Sequence, residues 1–292
     1  RAMVTARKLQ GLSSDKRSPG QSKAGPAMRS LFTSLKNGMQ TMVDALVAQI
    51  PESARRTSTP IDAVKPESGK WLVEASGRTV EFDGVIIATP AYLAAGLLQS
   101  QIPQLSSELE QIRYSSSITV ALAYDEKARA SLPSGFGFLV PWAEGKRIRA
   151  CTFVHNKFPN RAEVGTALLR CFLGGTRDGE ILQLADAEIA ATVRRELQEI
   201  LGISAEPSFV KIYRWPRAMA QYTIGHKGRV DRVRQIVSAA PGLALAGNAY
   251  AGIGIPNCIR SGSEAATKVI TDLAGGAAAR AHGLIAPSRG RN

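Results

Sequence analysis

The sequence predicts a mixed α/β (α+β) protein, combining part of an open, doubly wound domain with a separate antiparallel-sheet domain. Three observations carry this. Asp83-Gly84-Val85-Ile86-Ile87-Ala88-Thr89-Pro90 is a continuous apolar run closed by a turn, the pattern of a parallel strand buried on both faces. Longer β segments at 118–124, 136–140, 148–154, 168–173 and 209–215 are joined by charged or Gly/Pro turns, as in an antiparallel sheet. Near the end, a short apolar strand at 243–246 runs into a glycine loop at 247–254 and then a helix from about Pro256 to Leu273.

The remaining elements follow in order. Residues 10–30 are rich in Ser, Gly, Pro and Lys and read as a flexible basic segment. Met42, Val43, Leu46, Val47 and Ile50 have the spacing of an amphipathic helix that Pro51 ends. Short strands are expected at 57–64, 71–75 and 79–82, and a helix at 91–98. A helix over 186–201 takes Asp186 as cap, Glu188 in its first turn, and Ile189, Val193, Leu197 and Ile200 as its apolar stripe. The divisions implied are 1–30, 31–112, 113–220, 221–276 and a basic tail over 277–292.

Charge narrows the function. The 292 residues carry 37 Lys+Arg against 24 Asp+Glu, a net +13. Residues 1–36 hold eight basic side chains against Asp15 alone, and 277–292 add Arg280, Arg289 and Arg291 with no acid, so the other 240 residues carry only +3. An excess confined to the ends argues against a nucleic-acid partner. It reads as solvated flanks, with peripheral contact to a membrane surface as the alternative. Cys151, Cys171 and Cys258 lie far apart without a CxxC pair, and the three histidines are scattered, so neither a disulfide framework nor a metal site is expected. No secretory signal is read at the start, and a reducing, cytoplasmic setting is the expectation. The 25 uncharged residues between Arg234 and Arg260 are long enough to span a membrane, but Pro241, Gly242, Gly247, Asn248, Gly252, Gly254, Pro256 and Asn257 break them into strand, loop and helix.

That strand–loop–helix is the candidate ligand site. Gly247, Gly252 and Gly254 let backbone approach a ligand, Pro256 suits a first helical turn, and the N–H groups of the helix start favour an anion. Gly252-Ile253-Gly254-Ile255-Pro256-Asn257 is not G-x-G-x-x-G, and no stretch of the chain is, so a phosphate cradle is unsupported. A delocalised anion and a plain tight connection both remain open. His226 reads as a turn residue, and no nucleophile or acid/base pair emerges, so no catalytic residue is assigned.

Residues 245–262 resemble the C-terminal flavin motif of the porphyrinogen oxidases, within the flavin amine oxidase superfamily. The resemblance continues through Phe32–Leu46 (a Gly-Met, then an apolar helix), through 85–91, and through the blocks 135–141, 156–162 (Asn156-Lys157-Phe158-Pro159-Asn160-Arg161-Ala162) and 169–175. It extends to 215–226, where Ala220 stands in place of the usual Pro. It implies an FAD-dependent oxidation of protoporphyrinogen or coproporphyrinogen to the porphyrin in haem biosynthesis, with dioxygen as oxidant and six electrons removed in three flavin cycles. The family's N-terminal βαβ unit with G-x-G-x-x-G is not found here, so a C-terminal portion is expected.

By position, the resemblance places Ile61 at the adenine, Trp215 in the flavin cavity, and Ile253, Gly254 and Ile255 along the isoalloxazine, whose anionic reduced form the helix start would favour. Ile61 as a strand core residue and Trp215 as an ordinary buried aromatic are the alternatives. Residues 31–112 and 221–276 become the FAD-binding parts, and 113–220 the substrate domain, with Arg170 and Lys157 as candidate partners for propionates. Another flavin amine oxidase or desaturase-type enzyme, or a non-catalytic remnant, is the competing assignment. The 156–162 block argues against the first of these.

Overall fold

The structure is a computed structural model that describes residues 34–281 apart from Pro159. The basic segment 1–30 and the end of the 277–292 tail lie outside the described residues. Two compact units are present, one formed by 34–55 with Ser116–Pro216, the other by Arg56–Ser115 with residues from Arg217 onward. This division separates 34–55 from 56–112, which the sequence groups together.

The first element, α1 (Gln40–Ala48), has the expected apolar stripe, but Val43, Leu46, Val47 and Ile50 are all exposed, with no cover among the described residues. In the second unit β1 (Ile61–Glu67), β2 (Lys70–Ala75) and β3 (Arg78–Phe82) form an antiparallel meander. The first strand starts later than the expected 57–64 and runs through Pro66. A proline is tolerated there because β1 lies at the edge of its three-stranded sheet. Then come β4 (Val85–Ile87), α2 (Ala91–Leu98) and α3 (Pro103–Glu110), the last with Pro at its first position.

The antiparallel sheet of the first unit is built from β5 (Tyr114–Tyr124), β6 (Gly137–Leu139), β7 (Ile148–Phe153), β8 (Ala167–Gly175) and β9 (Phe209–Ala220), in the order β6-β7-β8-β5-β9. Three helices interrupt it: α4 (Glu126–Ser131), the short α5 (Val154–Lys157) and α6 (Asp186–Leu201). Strand β9 continues past Pro216, beyond the expected end at Trp215. The pleat sends alternate residues to opposite faces. Ile118, Val120 and Leu122 of β5 and Leu169, Cys171 and Leu173 of β8 form one core with Ile189, Val193 and Leu197 of α6. Asp186 is the first helical residue rather than the cap, and Glu188 accepts a hydrogen bond from the Ala185 N–H at 3.0 Å. The helix is tied to the sheet by Glu196, 4% exposed, whose carboxylate accepts from the N–H groups of Arg147 (2.8 and 3.1 Å) and Ile148 (2.8 Å).

The second unit closes with α7 (His226–Ser238), β10 (Leu243–Leu245) and α8 (Ile255–Ala281), which runs into the segment read as a tail. Strands β4 and β10 pair in parallel, Ile86 opposite Ala244. Burial of β4 on both faces is not found: Ile87 is buried but Ile86 is 42% exposed, because α8 covers that face chiefly over β10, where Ala265 and Val269 pack on Ala244 and Ala246, and leaves β4 partly open. The unit's core joins Trp71, Ile87, Leu98, Leu105, Leu109, Val233 and Leu243. Trp71 Nε1 donates to the Pro241 carbonyl at 3.0 Å, and the Asp272 carboxylate accepts from the Gly242 N–H at 2.8 Å, fixing the turn before β10.

Glu196 and Glu199 lie on one helix in opposite settings, the second paired at the surface with Lys146. Glu196→Ala leaves the buried Ile148 amide and the half-buried Arg147 amide without an acceptor and is expected to destabilise the protein by about 2–3 kcal/mol. Glu199→Ala is expected to leave the urea midpoint nearly unchanged, so comparing the two unfolding curves checks the assignment.

Candidate functional site

The glycine loop of the second unit is shaped by two side chains from outside it, Tyr222 and Ser261. The Tyr222 hydroxyl donates to the Asn248 carbonyl at 2.8 Å and accepts from the Gly252 N–H at 2.7 Å, bridging the two ends of the loop. Ser261 Oγ accepts from the Gly247 N–H at 3.1 Å and holds the loop's start to α8. Gly252 has φ +121, and a Cβ there would collide with the Asn257 side chain, so any other residue is strained at this position. The Gly254 carbonyl accepts from the N–H groups of Asn257 (2.9 Å) and Cys258 (3.0 Å), and Pro256 has none. Among the described residues the Gly254 and Ile255 amides find no acceptor. They are left open at the positive end of a long helix, beside the apolar, exposed Ile253 and Ile255.

The Tyr222 ring stacks on His226, with centroids 4.0 Å apart and planes at 11°. His226 is the first residue of α7 and is buried, not the turn residue expected. Burial and the nearby Arg229 cation hold its imidazole below the ordinary histidine pKa, against a smaller upward pull from backbone groups of Tyr250 and Ala249. Neither ring nitrogen makes a well-formed hydrogen bond. An enclosed ring of this kind packs against Tyr222 and supports it.

The first unit carries its own feature on the open face of the five-stranded sheet. A cavity of about 640 Å³ is lined by Gln40, Thr119, Ala121 and Arg170, together with Phe209, Lys211, Tyr213 and Trp215 along β9. Trp215 is 48% exposed, so it is not an ordinary buried aromatic. Its Nε1 donates to Thr119 Oγ1 at 3.1 Å, and its ring lies 6.3 Å from that of Tyr213 at 26°.

The sequence-predicted residues therefore fall in three places. Ile253, Gly254 and Ile255 share the loop and helix start. Ile61 belongs to the same unit but sits at the irregular start of β1, opposite Ala75 and 41% exposed, so it is not a core residue. Trp215 belongs to the first unit and its cavity. Tyr222, Lys211, Tyr213 and Thr119 were not singled out by the sequence. The alternation of Phe209, Lys211, Tyr213 and Trp215 is the signal that marks one strand face. Among the described residues no group of three or more His, Cys, Asp or Glu could hold a metal, and no helix is long and apolar enough to cross a membrane.

A parallel strand feeding a glycine loop and a helix in one unit, and an antiparallel sheet in the other, define a flavoprotein-type oxidoreductase fold. The chain belongs to the family of flavin containing amine oxidoreductases, whose profile matches residues 6–270. It is 32% identical over 244 residues to coproporphyrinogen III oxidase of Bacillus subtilis, covering 83% of this chain and 52% of that protein. It is 25% identical over 250 residues to the chloroplastic protoporphyrinogen oxidase 1 of Arabidopsis thaliana, covering 81% and 47%. A crystal structure from an Exiguobacterium species, provisionally assigned as a protoporphyrinogen oxidase, superposes with a TM-score of 0.73 at 30% identity, over 83% of this chain and 52% of that one. The chain spans about half the length of the curated relatives it matches.

Two outcomes test the loop. Gly252→Ala is expected to cost about 1–3 kcal/mol through backbone strain, and Tyr222→Phe roughly 1 kcal/mol for each of its two hydrogen bonds, with faster hydrogen exchange at the Gly252 amide. Because the folded pKa of His226 lies below its unfolded value of about 6.5, the unfolded chain binds more protons in that interval. Its contribution is complete above about pH 6.5 and is lost as pH falls towards the folded pKa. His226→Phe keeps the stack and is expected to flatten this part of a urea-stability profile measured between pH 7.5 and 5.5.

Proposed function

We propose that this chain provides the C-terminal part of an FAD-dependent porphyrinogen oxidase acting on coproporphyrinogen III or protoporphyrinogen IX with dioxygen as oxidant. The observation that carries the reading is the pair of open amides at Gly254 and Ile255, presented by a loop that Tyr222 and Gly252 hold in shape. The names of the relatives point the same way.

The residues present suit a flavin. Exposed Ile253 and Ile255 offer apolar contact to a flat ring, the open amides can donate to a carbonyl edge, and the α8 dipole favours negative charge at that edge. Ile61 is assigned to the adenine and Trp215 to the cavity wall by resemblance, and their exposure leaves both free for contact. Bound there, FAD supplies the two-electron acceptor that dioxygen regenerates. The chain's own part is to bind, orient and stabilise charge: among the described residues no acid/base pair stands at the loop, and His226 is stacked under Tyr222.

The test is a fusion of the N-terminal half of the Bacillus subtilis relative to this chain. The fusion is expected to show flavin absorbance and to generate porphyrin fluorescence from coproporphyrinogen III or protoporphyrinogen IX with oxygen uptake. A flavin-loaded fusion that leaves both untouched while oxidising amines would overturn the reading.

A further inference from the structure

We propose that Arg170 and Lys211 form a carboxylate-binding pole on the open face of the five-stranded sheet. Beside the Tyr213–Trp215 aromatic shelf, this pole would take a flat polycarboxylate of the tetrapyrrole class by its propionates. The substrate class rests on the function proposed above; the site itself rests on the first unit alone.

The pleat dictates the placement. On β8, Leu169, Cys171 and Leu173 are buried in the core, so Arg170 between them must emerge on the other face, where it is exposed. Its register partners are Ala121 on β5 and Thr152 on β7, both small, which leaves the guanidinium uncrowded. On β9, Phe209, Lys211, Tyr213 and Trp215 share one face and line the same cavity as Arg170, Thr119 and Ala121. The cavity's volume of about 640 Å³ lies within the ~300–1,000 Å³ usual for small-molecule sites.

Charge is the second argument. The lining holds two cations and no carboxylate, and the one further polar side chain from α1, Gln40, is bonded to Asp44 at 2.9 Å. Four basic side chains of this unit are neutralised by carboxylates: Arg147 by Asp178, Lys146 by Glu199, Arg194 by Glu206, and Arg214, on the same strand as Lys211, by Asp186. Arg170 and Lys211 make no ion pair among the described residues, and Lys211 has only the Tyr213 ring, 5.8 Å from its Nζ. Lys157, the other cation considered from sequence, stacks over Phe158 at 5.6 Å and does not line the cavity.

Flatness is the third. The Trp215 indole is held by Thr119 and lies at a small angle to Tyr213, so an aromatic surface stands ready before any ligand arrives. Cations alone would accept any anion. Two cations at the end of an aromatic shelf select a ligand that offers a planar face and carboxylates together, with Arg170 suited to a bidentate grip.

The test titrates the 292-residue chain with coproporphyrin III, a four-carboxylate probe, following tryptophan and porphyrin fluorescence. Saturable binding is expected, weaker for two-carboxylate protoporphyrin IX and weakest for coproporphyrin tetramethyl ester. The double variant Arg170→Gln/Lys211→Gln is expected to raise Kd at least tenfold with unchanged circular dichroism. Arg170→Lys should recover part of the loss, and Lys157→Gln should match the parent. A parent that does not bind, an ester that binds as well as the acid, or a folded double variant with parental Kd would each overturn the pole. If the parent binds and the double variant does not, yet a flavin-loaded fusion leaves porphyrinogen unoxidised, the pole stands and the proposed reaction falls. If the fusion oxidises porphyrinogen with KM unmoved by the two substitutions, the pole alone falls.

Discussion

Successive side chains on a β-strand must point to opposite faces, and the five-stranded sheet depends on that constraint throughout. One set, Ile118, Val120, Leu122, Leu169, Cys171 and Leu173, is buried against the α6 stripe, each aliphatic member worth roughly 1.5–3 kcal/mol. The complementary set has no share in that core. Thr119, Ala121, Arg170, Lys211, Tyr213 and Trp215 are therefore free to be polar, charged or aromatic without weakening the fold. Stability is placed on one face so that chemistry can be placed on the other. Glu196 reinforces the arrangement from beneath by satisfying the two amides at the start of β7, where the ladder with β8 is irregular.

In the second unit the equivalent constraint is the helix terminus. An α-helix starts with N–H groups it cannot pair internally, and α8 resolves this unevenly. Pro256 removes one donor, Gly254 accepts two others through its carbonyl, and among the described residues the amides of Gly254 and Ile255 stay open. The loop could close over them if it were free to collapse. Tyr222 prevents this by holding Asn248 and Gly252 at once, and the Gly252 backbone keeps a conformation that other residues resist. Beneath it, an imidazole held neutral by burial stacks on the phenol without bringing charge to the loop. An anion-favouring helix start is thus kept uncharged around and accessible.

Much of this was legible in the sequence where the signal is local. The stripe of Ile189, Val193 and Leu197 names α6, and the glycines with Pro256 name the last loop and the helix after it. The extent of β9 was hidden by Pro216, which a strand accommodates here, and the buried reading of β4 failed at Ile86 because burial depends on what covers a strand. The roles of Tyr222 and Lys211 were beyond reach for a different reason. Tyr222 acts on Gly252, thirty residues away, and Lys211 shares a cavity with Arg170 on another strand. Such partnerships are set by register and loop path, which no periodicity encodes.

The charge shows the same limit and where it is overcome. A net +13 invites a polyanionic partner, yet most of the excess sits at the ends of the chain, and the intervening 240 residues are close to neutral. Net charge sums over distances that salt screens within about 8–10 Å, so it says little about any one ligand. Position and pairing say more. Arg214 and Lys211 lie three residues apart on one strand; the first is cancelled by Asp186, while the second faces an aromatic-lined cavity together with Arg170, which makes no ion pair among the described residues. A cation without a carboxylate, held next to a flat apolar surface, retains its attraction for a ligand that brings both features. In a nearly neutral body, those two side chains carry more functional information than all the charge at the ends.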